Sequence, residues 1–183
     1  MRADAVRNRE KVLTAAAATF AQHGPDASLE EIAHRAGVGI GTVYRHFPDR
    51  QSLMVALYRE KLEALNELGA SLLESPDPYG ALREWLRQQL ILNRTDQAVA
   101  ASAMIAMLDD PKGRPVTCED MRAVGSGLLE RAVAAGDVRD DVTLEDLARM
   151  VSAIAMASDR APEGGCECGD RLFVVMMDGI RTR

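Results

Sequence analysis

The sequence predicts an all-α fold of about nine helices. Apolar residues recur at intervals of three or four along most of the 183 residues, as they do in amphipathic helices. Alternating β-branched runs joined by Asn-Gly or Asp-Gly turns, the usual signal of hairpins, are missing. Hydrophobic residues make up 47% of the chain and aromatic residues only 4%, so aliphatic side chains and methionines must fill most of the core.

Three helices are predicted in the first 50 residues, over about 4–22, 29–36 and 41–47. The first ends at Gly24-Pro25, because a proline cannot continue a helix. Ser28 begins the second helix in a capping box, in which the Ser28 hydroxyl accepts from the Glu31 amide and Glu31 reaches back. Gly37 closes that helix, and a short glycine-bearing turn leads to the third. This spacing is typical of a helix-turn-helix.

The rest of the chain predicts a helical body. A long fourth helix begins near Arg50 and continues to about Leu73, where Ser75-Pro76-Asp77-Pro78 breaks it. Further helices are expected near 79–93, 96–108, 117–135, 144–158 and 170–181. We therefore expect a headpiece at 1–50 and a helical body at 51–183, with Thr143-x-x-Asp146 as one N-terminal cap.

The charge distribution and the sequence motifs indicate which classes of function are expected. Residues 1–50 carry a net charge of +1 and residues 51–183 carry −7, so a polyanion is expected to meet the N-terminal part. Neither an apolar leader nor an apolar run near the roughly 20 residues of a membrane span is present, which predicts a cytoplasmic protein. Phosphate-binding loops, Gly-x-Ser-x-Gly and His-Glu-x-x-His are missing, so we expect no enzyme, cofactor or metal site.

The third helix carries the strongest functional signal. At about 100° per residue, Val43 and Phe47 fall on one side, where they can pack on the first two helices. The remaining positions are small or polar: Gly41, Thr42, Tyr44, Arg45 and His46. Such a helix suits a DNA major groove, because Arg45 can offer two hydrogen bonds to a guanine while the flanking groups reach phosphates.

Residues 28–50 resemble the TetR family of transcriptional regulators, and the similarity extends over about 8–55. The matching pattern is Ala33-x-x-Ala36-Gly37-Val38-Gly39-Ile40-Gly41-Thr42-Val43-Tyr44-x-His46-Phe47-x-x-Arg50. The resemblance implies a homodimeric repressor that a small ligand releases from a palindromic operator. It also implies the positions that face DNA: Ser28, Ile40, Gly41, Thr42, Tyr44, Arg45, His46 and Arg50.

Some assignments in this segment stay open. Ile40 lies at the edge of the buried face, so it can pack in the core or touch a thymine methyl group. His46 can be a structural histidine. Gly39, Val43 and Arg50 are often Ser, Leu and Lys in the family, and Gly39 loses a hydroxyl–phosphate contact. An interaction protein whose headpiece no longer binds DNA is the alternative function, although the retained Thr42, Tyr44, His46 and Arg50 speak against it.

Residues 80–160 are similar to an actinobacterial-type TetR ligand-binding domain, through Leu82-Arg83-x-Trp85-Leu86 and Gly136-x-Val138-Arg139-x-Asp141. This resemblance implies a pocket for a small effector, for which an apolar or amphipathic molecule is favoured. The candidate ligand residues are Leu82, Trp85, Leu86, Met104, Met107, Met121 and Met150. Since methionines also fill ordinary cores, both interpretations stay open.

The resemblance further implies dimerisation through the last two helices. One apolar stripe is Leu144, Leu147, Val151 and Ile154, and the other is Leu172, Val175, Met176, Gly179 and Ile180. These stripes either form the dimer bundle or complete the core of a single chain. Cys166 and Cys168 are one residue apart and do not make a zinc site, which leaves a thiol sensor or a reduced loop.

Overall fold

The computed structural model describes residues 2–24, 26–95, 118–159 and 165–182. Within these ranges the chain forms eight helices and no β-strand. They are α1 (Arg2–His23), α2 (Leu29–Ala36), α3 (Ile40–His46), α4 (Arg50–Leu72), α5 (Pro78–Thr95), α6 (Cys118–Ala134), α7 (Leu144–Asp159) and α8 (Gly165–Gly179). The all-α prediction is confirmed, while the helix predicted at 96–108 lies outside the described residues.

The described chain divides into two compact units. Residues up to Glu60 belong to the first, and residues from Lys61 onward belong to the second. The boundary falls inside α4, which runs without interruption from Arg50 to Leu72. The sequence suggests a domain division between residues 50 and 51, and that division stays a prediction. None of the helices in the described ranges is long and apolar enough to span a membrane.

The first unit is built on the apolar faces of its helices, as the three- and four-residue spacing predicts. Its buried residues include Val12, Leu13, Ala16, Phe20, Leu29, Ile32, Val43, Phe47, Leu53 and Leu57. The end of α1 is also as predicted, because Gly24 adopts φ +76° and its N–H donates to Phe20 O at 2.9 Å. These contacts hold α1, α2 and α3 together as a small three-helix headpiece.

The second unit has a separate core of aliphatic side chains around one tryptophan. Its fully buried residues include Leu82, Trp85, Leu86, Leu90, Leu128, Leu147, Val151 and Met177. Asp77 caps α5 by accepting from the Gly80 N–H at 2.8 Å, and Pro78 occupies the first helical position, where its missing N–H costs nothing. The predicted cap of α7 is confirmed, because the Asp146 N–H donates to Thr143 Oγ1 at 3.2 Å.

The predicted start of the last helix is wrong. The glycine-rich stretch suggested a helix over 170–181, whereas α8 begins at Gly165 and ends at Gly179. A β-carbon at Gly169 would lie 2.2 Å from Ser158 Oγ and 3.3 Å from Ser158 Cβ, so α7 and α8 pack closely at this position. Beyond α8, Val138 and Arg181 form an isolated antiparallel bridge.

Candidate functional site

Ser28 caps the N-terminus of α2. Its backbone is extended, at φ −72° and ψ 138°, and its hydroxyl oxygen accepts from the Glu30 N–H at 3.1 Å and the Glu31 N–H at 3.4 Å. The hydroxyl also donates to Glu30 Oε2 at 2.6 Å, and this bond is the main cause of the lowered pKa of Glu30. The second half of the predicted capping box is wrong, because Glu31 Oε1 lies 3.4 Å from His23 Nε2 instead.

Residues 37–39 form the turn between α2 and α3. Gly37 adopts φ +66° and ψ 34°, a left-handed conformation that a residue with a β-carbon adopts only at a cost. The N–H groups of Gly37 and Val38 donate to His34 O and Ala33 O, both at 3.1 Å, and satisfy the last carbonyls of α2. Gly39 then caps α3, with the Thr42 N–H donating to Gly39 O at 2.8 Å. Backbone geometry at Gly37 therefore sets the angle at which α3 leaves α2.

The inner side of α3 is held in the core of the first unit. Val43 is fully buried and Phe47 is 3% exposed, as the helical spacing predicts. The Arg9 guanidinium lies 5.7 Å from the centroid of the Phe47 ring, and its Nη1 is 3.1 Å from Glu60 Oε1. Sequence reasoning missed this support, although Arg9 precedes the buried Val12 by three residues and so lies near the buried face of α1.

The outer side of α3 is open. Tyr44 is 47% exposed, Gly41 and Arg45 are exposed, and no heavy atom lies within 4 Å of the place where a Gly41 β-carbon would stand. The half-buried positions are Ile40, Thr42 and His46. One helix thus has a buried apolar side and an uncovered polar side, which is the distribution that a groove-binding helix requires.

Arg50 stands at the first position of α4. The Ser52 N–H donates to Asp49 Oδ1 at 2.7 Å, and the Asp49 N–H donates to Ser52 Oγ at 3.3 Å, so this pair caps the helix reciprocally. The spacing Asp49-x-x-Ser52 was the signal for this cap, which the sequence reasoning did not use. Arg50 Nη1 lies 3.6 Å from Oδ1 of the fully exposed Asp26.

In the second unit, Trp85 is wedged between two helical glycines. A β-carbon at Gly69 on α4 would lie 2.8 Å from Trp85 Nε1, and one at Gly125 on α6 would lie 2.7 Å from Trp85 Cη2. The indole is 2% exposed, and Leu82 and Leu86 on the same helix are fully buried. The glycines therefore give the largest side chain of the chain its place between α4 and α6.

Three polar atoms of the second unit are buried without a hydrogen-bond partner in the described part of the chain: Asn66 Oδ1, Trp85 Nε1 and Gln89 Oε1. Trp85 and Gln89 are four residues apart on α5 and therefore share one face of that helix. On α4, Asn66 is three residues before Gly69, so these two residues also share a helix face. Since leaving a buried polar atom unsatisfied costs about 1–3 kcal/mol, each of these atoms is a candidate to bond a polar group of a ligand.

The other predicted ligand residues do not all join Trp85. Met121 on α6 is half-buried, whereas Met150 on α7 is 41% exposed. Met104 and Met107 lie outside the described residues. A surface cleft of about 720 Å³ lies elsewhere in this unit, and its lining, which includes Val138, Arg139 and Arg181, contains none of the predicted residues.

The outward faces of α7 and α8 differ from the predicted stripes. Leu147, Val151 and Ile154 are buried in the core of this same chain, so of the two alternatives for this stripe, completion of the single-chain core is the one that these three residues fit. The exposed apolar residues of these two helices are Met150, Ala153, Met156, Ala157, Val174 and Val175. Both faces of α7 are apolar, and the sequence alone did not distinguish the inner from the outer one.

The structure describes the side chain of one of the three cysteines. Cys168 is half-buried with a free thiol, and the side chains of Cys118 and Cys166 lie outside the described residues. Over the ranges that the structure describes, no three His, Cys, Asp or Glu side chains come together to hold a metal ion.

Two family models together cover most of the chain. One, described as bacterial regulatory proteins of the tetR family, matches residues 12–57. The other, described as the C-terminal domain of SbtR-like transcriptional regulators, matches residues 77–182. The first match contains α2, the turn and α3, and the second contains α5 to α8.

Solved structures and curated proteins agree with these matches. A TetR transcriptional regulator of Streptomyces coelicolor is 34% identical, with a TM-score of 0.74 over 94% of this chain and 98% of that one. A TetR regulatory protein of Mycobacterium vanbaalenii is 31% identical, with a TM-score of 0.72 over 99% of both chains. AcnR of Corynebacterium diphtheriae, an HTH-type transcriptional repressor, is 26% identical over 182 residues, which are 95% of this chain and 92% of that protein.

Proposed function

Because this chain belongs to the TetR family of bacterial regulatory proteins, we propose that it is a cytoplasmic transcriptional repressor that a small ligand releases from operator DNA. The observation that carries the proposal is α3 itself, which buries Val43 and Phe47 and leaves Tyr44 47% exposed. Tyr44 and Arg45, which can bond phosphates and bases, lie on the uncovered side of this helix. The relative AcnR is named a repressor, which supports repression of transcription over activation.

The proposed DNA-binding residues are Ser28, Ile40, Gly41, Thr42, Tyr44, Arg45, His46 and Arg50. Arg45 is the residue that recognises a base, since a guanidinium can donate two hydrogen bonds to the O6 and N7 of a guanine. Gly41 lets the helix approach the bases, because nothing projects from its surface there. Ser28 and Arg50 stand at the N-termini of α2 and α4, where the helix dipole attracts a phosphate. Residues 1–50 are the proposed DNA-binding domain.

The proposed active form is a homodimer joined through α7 and α8. The exposed Met150, Met156, Val174 and Val175 form an uncovered apolar surface on these helices, and a surface of this kind is usually covered by a partner. A two-fold dimer presents two copies of α3, so the operator is expected to be a near-palindrome with half-sites about one DNA turn apart, roughly 34–36 Å.

The proposed effector binds in the second unit beside Trp85. Leu82 and Leu86 supply apolar contacts, and the unpaired Asn66 Oδ1, Gln89 Oε1 and Trp85 Nε1 can bond a polar end. An amphipathic, uncharged molecule with hydrogen-bond donors and an acceptor fits this set. Met121 is a further candidate, as are Met104 and Met107, whereas the exposure of Met150 favours the dimer surface.

The deciding experiment selects genomic fragments that bind the purified protein and measures their affinity by gel shift. We expect a near-palindromic site, a loss of binding in Arg45→Ala, and normal binding in Arg87→Ala, which changes an exposed arginine of α5 in the second unit. Reporter expression that rises when the gene is deleted supports repression. Enrichment of no sequence over random DNA would contradict the proposal, as would equal binding of all fragments by the wild type and Arg45→Ala.

A further inference from the structure

One exposed stripe of α8 has a symmetric arrangement of charge. Arg171, Val174, Val175 and Asp178 are spaced three, four and seven residues from the first, so they lie along a single helix face. All four are exposed, with Val174 at 43% and Val175 at 63%. The two valines are at the centre of the stripe, and opposite charges are at its two ends.

Across the described ranges, no ion pair involves Arg171 or Asp178. Asp178 also stands in the last turn of α8, where the negative end of the helix dipole disfavours an acidic side chain. Burial is the main cause of the raised pKa of Tyr79, while the charge of Arg181 lowers this pKa and that of Asp178 raises it. Asp178 thus combines an unfavourable helix-dipole position with the lack of an ion pair among the described residues.

A second copy of the chain supplies what both residues lack. When a helix contacts its own copy across a two-fold axis that is perpendicular to the helix, the two copies run antiparallel and each residue pair occurs twice. A contact centred between Val174 and Val175 places Val174 beside the partner's Val175. It also places Arg171 opposite the partner's Asp178, and Asp178 opposite the partner's Arg171. The same register brings the apolar centres together and neutralises both ends.

The adjacent surface of α7 extends this contact. Ala153 and Ala157 are exposed and small, which permits close approach of another helix, and Met150 and Met156 lie exposed on either side of them. α7 and α8 pack directly on each other within the chain, so their exposed apolar residues lie on adjacent helices and one partner can cover both. A partner that covers it must be apolar in the centre and must present an acid and a base at the stated spacing, as this chain itself does.

We infer that Arg171 and Asp178 set the register of the homodimer and select a second copy of this chain as the partner. The inference rests on the proposed dimer and adds to it the residues that determine pairing. Its consequence is specificity: a related regulator with a similar apolar surface but a different charge order at these positions is rejected, because like charges then face each other.

Charge reversal tests the inference directly. In Arg171→Asp, both pairs of the dimer become acid facing acid, and in Asp178→Arg, both become base facing base. We expect each variant to dimerise about tenfold to hundredfold more weakly than the wild type, measured by sedimentation at several concentrations. A mixture of the two variants restores two opposite-charge pairs, so native mass spectrometry should find heterodimers well above the half that random exchange gives. The double variant Arg171→Asp/Asp178→Arg should dimerise like the wild type.

Matched controls separate register from folding and from dimerisation itself. Arg87→Asp and Glu130→Arg make the same charge changes at exposed positions of α5 and α6, and mixing them should give only random exchange. Helical content by circular dichroism should be unchanged in all variants. If the wild type is a monomer, the proposed homodimer fails. If the wild type is a dimer but the single variants dimerise normally or mix at random, the inferred register is wrong and the proposed homodimer is retained.

Discussion

Gly69 and Trp85 are in direct contact, and the contact depends on the missing side chain of Gly69. A β-carbon at this position would lie 2.8 Å from Trp85 Nε1 and 2.3 Å from Val124 Cγ1. Both distances are far below van der Waals contact, and the atoms involved belong to a rigid ring and a β-branched side chain. The interior of the second unit therefore has no room for a β-carbon at position 69 unless neighbouring side chains move.

The first prediction follows from that contact. Gly69→Ala and Gly125→Ala should each destabilise the protein by about 1–3 kcal/mol, because an added methyl group strains a closely packed core. Urea unfolding monitored by circular dichroism measures the effect. Gly41→Ala is the matched control, since no atom lies within 4 Å of its β-carbon position, and its stability should not fall. Gly125→Ala should cost less in a Trp85→Phe background, which removes Cη2; an unchanged cost there would contradict the proposed clash.

The second prediction separates positioning on DNA from reading of bases. Arg50→Ala should weaken binding to specific and random DNA alike and reduce the slope of log affinity against log salt by about one, because one phosphate contact is lost. Tyr44→Phe should also weaken all sequences similarly. Arg45→Ala should instead relax preference at one base pair, at a cost of about 1–3 kcal/mol. Titrations of the operator, single-base variants and random DNA distinguish these patterns; equal losses for Arg45→Ala on all of them would remove it from base reading.

The third prediction uses Trp85 as a reporter of effector binding. Trp85 is the single tryptophan of the chain and is 2% exposed, so a molecule bound beside it should change its emission. An effector can weaken operator binding only through its differential affinity for two states, and a coupling of about 1–3 kcal/mol gives roughly 5- to 150-fold. Fluorescence and operator affinity should therefore change over the same effector concentrations. Gln89→Leu should reduce effector affinity, whereas Glu63→Gln, an exposed position of α4, should not.

Two outcomes would place the switch elsewhere. The first is release from DNA without any change in Trp85 emission, at a potency that Trp85→Phe leaves unaltered. The second is release that requires an oxidant and disappears in Cys166→Ser/Cys168→Ser, which would support the thiol sensor.

The fourth prediction concerns the cap of α7. Asp146 Oδ2 accepts from Thr143 Oγ1 at 2.6 Å and from the Thr143 N–H at 3.1 Å, and these bonds, in that order, lower the pKa of Asp146. Since the folded pKa lies below the unfolded one, the ionised group stabilises the fold above about pH 3.9, the usual value for an unfolded Asp. This contribution is lost as the pH falls through the lower folded value. The free energy of unfolding of Asp146→Asn should therefore lie below that of the wild type at neutral pH and converge with it in acid.

Variants of Thr143 provide the control for this prediction. Thr143→Ser keeps the hydroxyl and should preserve the pH dependence. Thr143→Ala removes the cap at a cost of about 0.5–2 kcal/mol and should weaken that dependence. A constant difference between Asp146→Asn and the wild type over the whole acid range would contradict the assignment.

Local chemistry determined the headpiece and most helix ends. Ser28, Gly37 and Thr143 act on backbone groups within three or four residues of themselves, so their roles could be predicted without knowing what lies beside them. The three- and four-residue spacing likewise predicted that Val43 and Phe47 are buried, because that side of α3 is its only apolar one.

Tertiary structure decided what depends on distant partners. Both sides of α7 are apolar, so only packing could determine that Val151 is buried and Met156 exposed. Gly169 packs closely against Ser158 of α7, and the position of Trp85 depends on glycines 16 residues before it and 40 residues after it. Such contacts join segments far apart in the chain, and the periodicity of a single helix contains no information about which distant residue will lie against it.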